Sequence, residues 1–219
     1  MRIKQYHTTP WHRRLPLWAG MALLALAASA GADNFADQAP QRLQEYLQIN
    51  TMNPPGNEVR GVAYLGAILR EAGIDYETAE SAPGRGNIWA RLPGGDLPAL
   101  VLLHHIDVVP ADAAYWKVNP LSGAIQDGYI WGRGAIDTKG LGITQLQAFL
   151  ALHAAGKPLT RDVIFMATAD EEAGGLFGAG WLVQHRPEIF ENVGFLVNEG
   201  GTGQITDGKP VYRVEVTQK

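Results

Sequence analysis

Residues 99–107 read ALVLLHHID, and this stretch indicates how the rest of the chain folds. Five apolar residues in succession, without the alternation of a half-exposed strand, predict a strand that is buried on both faces. Two histidines and an aspartate follow at its carboxyl end. Because open α/β sheets bind ligands beyond the carboxyl ends of their strands, His105 and Asp107 are the first candidates for a functional site.

Two further apolar runs end in the same way. Residues 163–169 are apolar enough for a central strand and lead into Asp170, Glu171 and Glu172, and residues 193–197 lead into Asn198 and Glu199. The sequence therefore predicts three buried strands whose carboxyl ends carry metal-binding side chains that converge in space.

The remaining periodicity indicates an α/β protein. Shorter strands are predicted at 76–78, 87–92 and 129–131, and helices at 142–155 and 178–184, with a helix, loop and helix before them around a loop at 51–56. Strands that alternate with helices predict a three-layer sandwich, in which helices flank a central, largely parallel but mixed sheet. From Gly200 onward, a turn at 207–208 and an alternating run indicate the first strand of another unit.

A fourth contributor to the site is Asp137, which lies in the glycine-rich segment WGRGAIDTKG at 131–140. The glycines allow a tight backbone path just before a helix, so that the carboxylate would lie at the positive end of that helix. A phosphate-binding loop is the alternative interpretation, but the glycine spacing fits neither G-x-G-x-x-G nor the P-loop.

Each of these signals also has a purely structural interpretation. A lone histidine at a strand end is more often structural than ligating, and an acidic triplet is usually a solvated loop or a helix cap. Charged residues that border a buried sheet nevertheless cost free energy unless they are paired or bound to metal, and one metal site explains all four positions. The chain has no cysteine, so only His, Asp and Glu could bind such a metal.

The residue types suggest a division of roles. His105 would supply a neutral imidazole, Asp107 would orient that ring, and His104 would point the other way along the strand. If the backbone stays extended, the side chains of Glu171 and Glu172 diverge, which suits one metal ligand and one general base. A carboxylate beside a metal-bound water can take its proton, so the predicted reaction is hydrolysis of an amide.

Four segments carry a resemblance to a known family: HIDVVP at 105–110, WGRGAIDTKG at 131–140, DEEAGG at 170–175 and NEGG at 198–201. In these segments the chain resembles the dinuclear zinc peptidases that include glutamate carboxypeptidase, aminoacylase, carnosinase and succinyl-diaminopimelate desuccinylase. The resemblance implies two Zn²⁺ in a complete catalytic domain, with Co²⁺ or Mn²⁺ as substitutes. It also implies peptides, cleaved as by a carboxypeptidase, or N-acyl amino acids as substrates.

The resemblance assigns the residues as follows. His105 and Glu199 would bind one zinc, Glu172 the other, and Asp137 would bridge them through a loop with a cis peptide bond between Asp137 and Thr138. Glu171 would be the general base, and Asp107 would orient His105.

Two departures from the family pattern are visible. His104 stands where the family usually has a small residue. The family's last ligand is a histidine far downstream of an inserted lid domain that mediates dimerisation, and no such residue occurs before Lys219. We therefore expect 33–205 to be the amino-terminal part of the catalytic domain and 206–219 the start of the lid, and the 219-residue chain to be impaired unless the rest is supplied.

The first 32 residues predict a signal peptide. Four basic residues precede an apolar stretch at 15–28 that contains no acidic residue, and small residues follow it. Cleavage is expected after Ala32, with Ala30 as the alternative, which predicts a secreted or periplasmic protein without stable membrane insertion. An uncleaved membrane anchor is the competing interpretation, although the stretch is shorter than the roughly 20 residues of a span.

Charge narrows the choice of partners. Without the first 32 residues, the chain has 14 basic and 22 acidic residues, a net charge of −8, which disfavours nucleic acid. A non-catalytic metal-binding or interaction module is the alternative function, but such a module has no need of a base at Glu171. A homodimer through the lid is expected for the full-length form.

Overall fold

The computed structural model describes residues 34–200 and 202–213. The predicted signal peptide therefore lies outside the described residues. In the described part of the chain, no helix has both the length and the hydrophobicity that a bilayer crossing requires.

The chain forms four helices and nine strands among these residues. The helices are α1 (Asn34–Gln48), α2 (Val59–Glu71), α3 (Lys139–Ala155) and α4 (Ala179–His185). The strands are β1 (Tyr76–Glu80), β2 (Gly86–Leu92), β3 (Leu97–His105), β4 (Ala124–Gln126), β5 (Tyr129–Trp131), β6 (Arg161–Thr168), β7 (Val193–Val197), β8 (Thr202–Thr206) and β9 (Lys209–Arg213). Short 3₁₀ turns occupy Ala113–Tyr115, Glu171–Ala173 and Pro187–Phe190.

The main sheet is mixed and has the strand order β1-β2-β6-β3-β7. β3 runs parallel to both β6 and β7, whereas β2 runs antiparallel to β1 and β6. The prediction that the apolar runs at 99–103 and 163–169 form interior strands is confirmed, because each of them has a neighbour on both sides. Their carboxyl ends lie side by side, with His105 paired to Thr168.

Helices cover both faces of this sheet and make the predicted three layers. Alternate residues of β6 enter opposite cores: Phe165 packs with α1, α2 and α3, whereas Ile164 and Met166 pack with Leu182 of α4 and Ile189. This alternation is the two-residue period of a strand, and it explains why the run is apolar at every position.

One strand differs from its prediction. β7 was expected to be buried, but among residues 34–200 and 202–213 it is an edge strand that pairs with β3 alone. Phe195, Leu196 and Val197 are exposed to 58%, 51% and 46%. The prediction was wrong because an apolar run does not reveal how many neighbours a strand has.

The turn predicted at 207–208 is confirmed. It joins β8 and β9 in an antiparallel hairpin, and Asp207 and Gly208 both have positive φ, at 52° and 72°. Two positive φ values are typical of the tight turn that matches the twist of a hairpin. The division of the chain into a catalytic part and a lid stays a prediction.

Candidate metal centre

His105 lies at the centre of a cluster of possible metal ligands. Its side chain is 2% exposed at the carboxyl end of β3, and its Nε2 is 2.9 Å from Asp137 Oδ1 and 3.2 Å from Glu199 Oε1. One ligand atom from each of these three residues lies within 4.8 Å of the others. The structure thus brings together three of the four predicted ligands, from segments far apart in sequence, whereas Glu172 is not part of this group.

The electrostatics of this cluster suit a cation. Burial alone would lower the pKa of His105, but the hydrogen bond and charge of Asp107 and the charge of Glu199 raise it to about 9. Burial, and then the charge of Asp137, raises the pKa of Glu199 against the opposing effect of His105. Carboxylates that repel one another around an imidazole form a nitrogen and oxygen donor set that fits Zn²⁺.

Asp107 connects His105 to the turn that follows β6. Nδ1 of His105 donates to the backbone oxygen of Asp107 at 2.8 Å and is 3.5 Å from its carboxylate. The carboxylate accepts backbone N–H groups of Glu171 at 3.0 Å and of Glu172 at 3.1 Å. Burial would raise the pKa of Asp107, but hydrogen bonds from His105 and Asn53 lower it. Asp107 is thus placed to hold both the imidazole and the acidic turn.

Glu171 and Glu172 lie on a 3₁₀ turn, not on the extended backbone that the sequence argument assumed. The chain turns because Asp170, two residues after the end of β6, has a φ of 69°. Successive side chains on such a turn diverge by about a third of a turn instead of half. The side chains still separate, and the difference in role between them stays a prediction.

The two glutamates have different surroundings. Glu171 is 52% exposed, and its Oε2 lies 3.8 Å from His105 Nε2. It borders a cavity of about 70 Å³ that His105 and Asn198 also line. Glu172 is partly buried, and burial followed by the charge of Asp137 raises its pKa. Its Oε1 is buried without a hydrogen-bond partner among residues 34–200 and 202–213, which leaves an acceptor that a cation could satisfy.

His104 points away from the cluster, as predicted. It is buried between Tyr46, whose hydroxyl is 3.4 Å from Nε2, and Phe165, whose ring lies 5.5 Å away. A Cβ on Gly142 would lie 2.3 Å from this ring, so the imidazole fills the space that the glycine leaves. Burial lowers the pKa of His104 to about 3. His104 is therefore a neutral core residue.

Asp137 is carried by the loop between β5 and α3. The peptide bond between Asp137 and Thr138 is cis, as the resemblance implies. The next residue, Lys139, is fully buried, and its Nζ donates to the carbonyl oxygens of Tyr46 at 3.0 Å and Ile49 at 2.8 Å. Burial lowers the pKa of Lys139 to about 7. This lysine ties the loop to the end of α1, a role that its position in the motif did not reveal.

Sequence reasoning missed most of the residues behind Asp107. Asn53, Glu58, Arg85 and Asp170 form a buried polar group that contacts Asp107 through Asn53. Asp170 was noted as the residue before the two glutamates, but Asn53, Glu58 and Arg85 have no distinctive sequence context, and only three-dimensional proximity connects the four.

Two adjacent aromatic residues lie at the end of the 3₁₀ turn Ala113–Tyr115. Trp116 lines a cavity of about 290 Å³ together with Asp137 and Arg133, and its ring lies 5.3 Å from the Arg133 guanidinium. Tyr115 is 88% exposed and does not line that cavity.

Comparison with known sequences finds relatives that are named as hydrolytic enzymes. The chain is 34% identical over 161 residues to aminoacylase-1 of Sus scrofa, which covers 72% of this chain and 39% of that protein. It is 34% identical over 186 residues to succinyl-diaminopimelate desuccinylase of Methylobacterium radiotolerans, which covers 80% of this chain and 46% of that protein. The chain thus spans less than half the length of these relatives.

Comparison with solved structures supports the same α/β fold. Human carnosine dipeptidase 1 superposes with a TM-score of 0.62 at 24% identity, over 84% of this chain and 41% of that chain. The M20 family metallo-carboxypeptidase Sso-CP2 of Sulfolobus solfataricus has a TM-score of 0.63 at 21% identity, over 74% of this chain and 37% of that chain.

The decisive comparison is with a family profile. Residues 101–218 match peptidase family M20/M25/M40, and this match covers the carboxyl-terminal part of β3, the Asp137 loop, the acidic turn and Glu199. It spans more than half of the chain. The chain therefore belongs to peptidase family M20/M25/M40.

Proposed function

We propose that this chain forms part of a zinc-dependent hydrolase that cleaves amide bonds of peptides or N-acyl amino acids. The observation that carries the proposal is the convergence of His105, Asp137 and Glu199, whose ligand atoms lie within 4.8 Å of one another beside β3. Membership of a peptidase family and the names of the aminoacylase and desuccinylase relatives support the same class of reaction.

The donor set suggests which residues would hold the metal. His105, Asp137 and Glu199 would bind one Zn²⁺, with Asp137 shared with a second ion at Glu172. The unpartnered buried Oε1 of Glu172 supports this second assignment. Co²⁺ and Mn²⁺ are expected to replace Zn²⁺ because they accept the same nitrogen and oxygen ligands.

Glu171 is the proposed general base. When bound, zinc supplies Lewis-acid polarisation of a carbonyl and makes water more acidic. The Glu171 carboxylate, exposed and 3.8 Å from His105, can accept a proton from the attacking water. The water oxygen adds to the carbonyl carbon, the carbon–nitrogen bond breaks, and Glu171 returns the proton to the leaving nitrogen. Asp107 holds His105 and the Glu171 backbone in place throughout.

The proposal extends to localisation. The first 32 residues act as a signal peptide, so the protein is secreted or periplasmic.

The proposal is tested on the purified protein. Zinc content and hydrolysis of N-acyl amino acids and dipeptides are measured for the wild type and for Glu171→Gln. We expect the variant to retain zinc and to lose activity by about 100-fold or more, the range that a general base contributes. Zinc binding without hydrolysis in either protein would favour a non-catalytic module, and full activity of Glu171→Gln would disprove the assignment of the base.

A further inference from the structure

Arg85 lies just before β2 and is buried with its charge fully paired. Its Nη2 is 2.9 Å from Glu58 Oε1 and 2.7 Å from Asp170 Oδ1. Its Nη1 donates to Asn53 Oδ1 at 3.2 Å and to the carbonyl oxygen of Pro55 at 2.8 Å. A guanidinium with both arms engaged has a defined orientation, which a flexible surface arginine lacks.

The surrounding backbone is shaped around this guanidinium. A Cβ on Gly56, where φ is +97°, would lie 2.5 Å from Arg85 Nη1. On another side, the Phe177 ring lies 5.5 Å from the guanidinium carbon. The loop therefore leaves just enough room for the arginine, and Arg85 in turn fixes the loop that carries Asn53.

Asn53 passes this orientation on to Asp107. Its amide oxygen accepts from Arg85, so its Nδ2 is directed to the two carboxylates, at 2.8 Å from Asp107 Oδ2 and 3.3 Å from Asp170 Oδ1. An amide cannot make these bonds if it is flipped, because oxygen would then face oxygen. Arg85 therefore decides which way Asn53 points.

Asp107 receives Asn53 on the side opposite to His105. With Glu171 N–H on Oδ1 and both Glu172 N–H and Asn53 on Oδ2, its rotation is fixed. A chain of polar contacts thus runs from Arg85 through Asn53 to the Asp107 carboxylate, which lies 3.5 Å from His105 Nδ1, while the backbone oxygen of Asp107 accepts the hydrogen bond from that nitrogen. Asp170, the second partner of Arg85, also opens the turn that carries Glu171 and Glu172.

We propose that Arg85, acting through Asn53, is a positioning residue for the metal centre: it fixes Asp107 and thereby the imidazole of His105 and the acidic turn. This inference rests on the proposed zinc site. Arg85 does not contact His105, Asp137 or Glu199. Any effect of an Arg85 substitution on metal affinity is therefore transmitted through Asn53 and Asp107. Outer partners that orient metal-binding histidines change metal affinity by about 10- to 100-fold when they are substituted.

The test measures the Zn²⁺ affinity of four folded, metal-free proteins by titration well below their unfolding temperatures. They are the 219-residue wild type, Arg85→Gln, Arg85→Lys and Asn53→Ala. Arg91→Gln is the matched control, because Arg91 lies on β2 six residues further on and pairs with Asp162 at 2.7 Å, remote from Asp107 in the hydrogen-bond network. We expect about 10- to 100-fold weaker binding for Arg85→Gln and Asn53→Ala, and an intermediate loss for Arg85→Lys, which keeps the charge but not the fork. The control should bind like the wild type.

A merely structural role would lower the unfolding temperature and leave the Zn²⁺ affinity of the folded protein unchanged, and that result would overturn the inference. If Arg85→Gln does not fold, Asn53→Ala and Arg85→Lys decide the question, since both keep a cation next to Glu58 and Asp170. Co²⁺ absorption spectra of the same variants should show altered coordination in parallel. Wild-type protein that binds no Zn²⁺ would overturn both this inference and the proposed function, whereas tight wild-type binding with unchanged variants would overturn this inference alone.

Discussion

The metal centre has a buried half and an exposed half, and they are stabilised differently. The side chains of His105 and Asp107 are 2% and 0% exposed and are held by bonds to backbone groups and to Asn53. Those of Asp137, Glu171 and Glu199 are 58%, 52% and 30% exposed. The buried half is thus built by folding, whereas the exposed half is a set of mutually repelling carboxylates that a cation would draw together.

The largest effect is expected when the buried half is broken at its centre. Asp107→Ala leaves the Glu171 and Glu172 amides without their acceptor and leaves Asn53 Nδ2 with only the longer bond to Asp170 Oδ1, at 3.3 Å. Hydrogen bonds to a charged group contribute about 1.5–3 kcal/mol each, so the free energy of unfolding should fall by roughly 5 kcal/mol. Urea unfolding of metal-free protein measures this, and Glu188→Ala, on the surface, serves as a control with an unchanged midpoint. A small loss in Asp107→Ala would contradict a preformed buried half.

A second effect concerns Glu58, which belongs to the buried polar group behind Asp107. Burial raises the pKa of Glu58 to about 7 despite the charge of Arg85. The native state therefore holds this proton more tightly than the unfolded state, and stability should fall as pH rises from about 4.5 to about 7. Glu58→Gln removes this contribution, which is on the order of 3 kcal/mol. The free energies of unfolding of the two proteins, measured across that pH range, should converge at its acidic end. A constant difference between the two proteins would disprove the prediction.

The exposed half should behave in the opposite way. Asp137→Ala removes a carboxylate that repels Glu172 and Glu199 but contacts His105 Nε2 at 2.9 Å; these effects oppose each other, so the metal-free protein should be about as stable as the wild type. Zn²⁺ affinity should nevertheless fall by more than about 100-fold, since even indirect partners of a ligand change affinity by 10- to 100-fold. Calorimetric Zn²⁺ titration and urea unfolding together measure the two effects. If Asp137→Ala lowered the stability of the metal-free protein and left its Zn²⁺ affinity unchanged, the prediction for the exposed half would be wrong.

The smallest effect distinguishes two adjacent aromatic residues near the exposed half. Trp116→Ala should lower the free energy of unfolding by roughly 1 kcal/mol, because the Trp116 ring stacks against the Arg133 guanidinium. Tyr115→Ala, at an 88% exposed position, is the matched control and should have no measurable effect. Thermal unfolding of both variants measures the difference, and equal losses would count against the packing role of Trp116.

The sequence predicted those parts of the molecule that depend on local pattern. The apolar runs predicted β3 and β6. His105, Asp107 and Glu171 were predicted as site residues because they lie at or beyond the carboxyl ends of these strands, where α/β sheets bind ligands. The Asp207 and Gly208 turn was likewise visible from composition.

What the sequence did not predict depends on contacts between distant segments. The apolar residues of β7 gave no sign that it has one neighbour. The 3₁₀ turn at Glu171 follows from a positive φ at Asp170, which an aspartate does not require. Arg85 and Asn53 are 32 residues apart, and Asn53 and Asp107 are 54 apart, so no spacing rule links them. Such networks are found only when the fold is known.

The most direct test of the account is a crystal structure of the zinc-loaded protein with anomalous diffraction recorded at the zinc edge. We predict a zinc peak bonded to His105 Nε2 and to carboxylate oxygens of Asp137 and Glu199, with Asp107 still behind the imidazole. A zinc peak elsewhere, or ligand side chains that stay apart in the presence of bound zinc, would contradict the account.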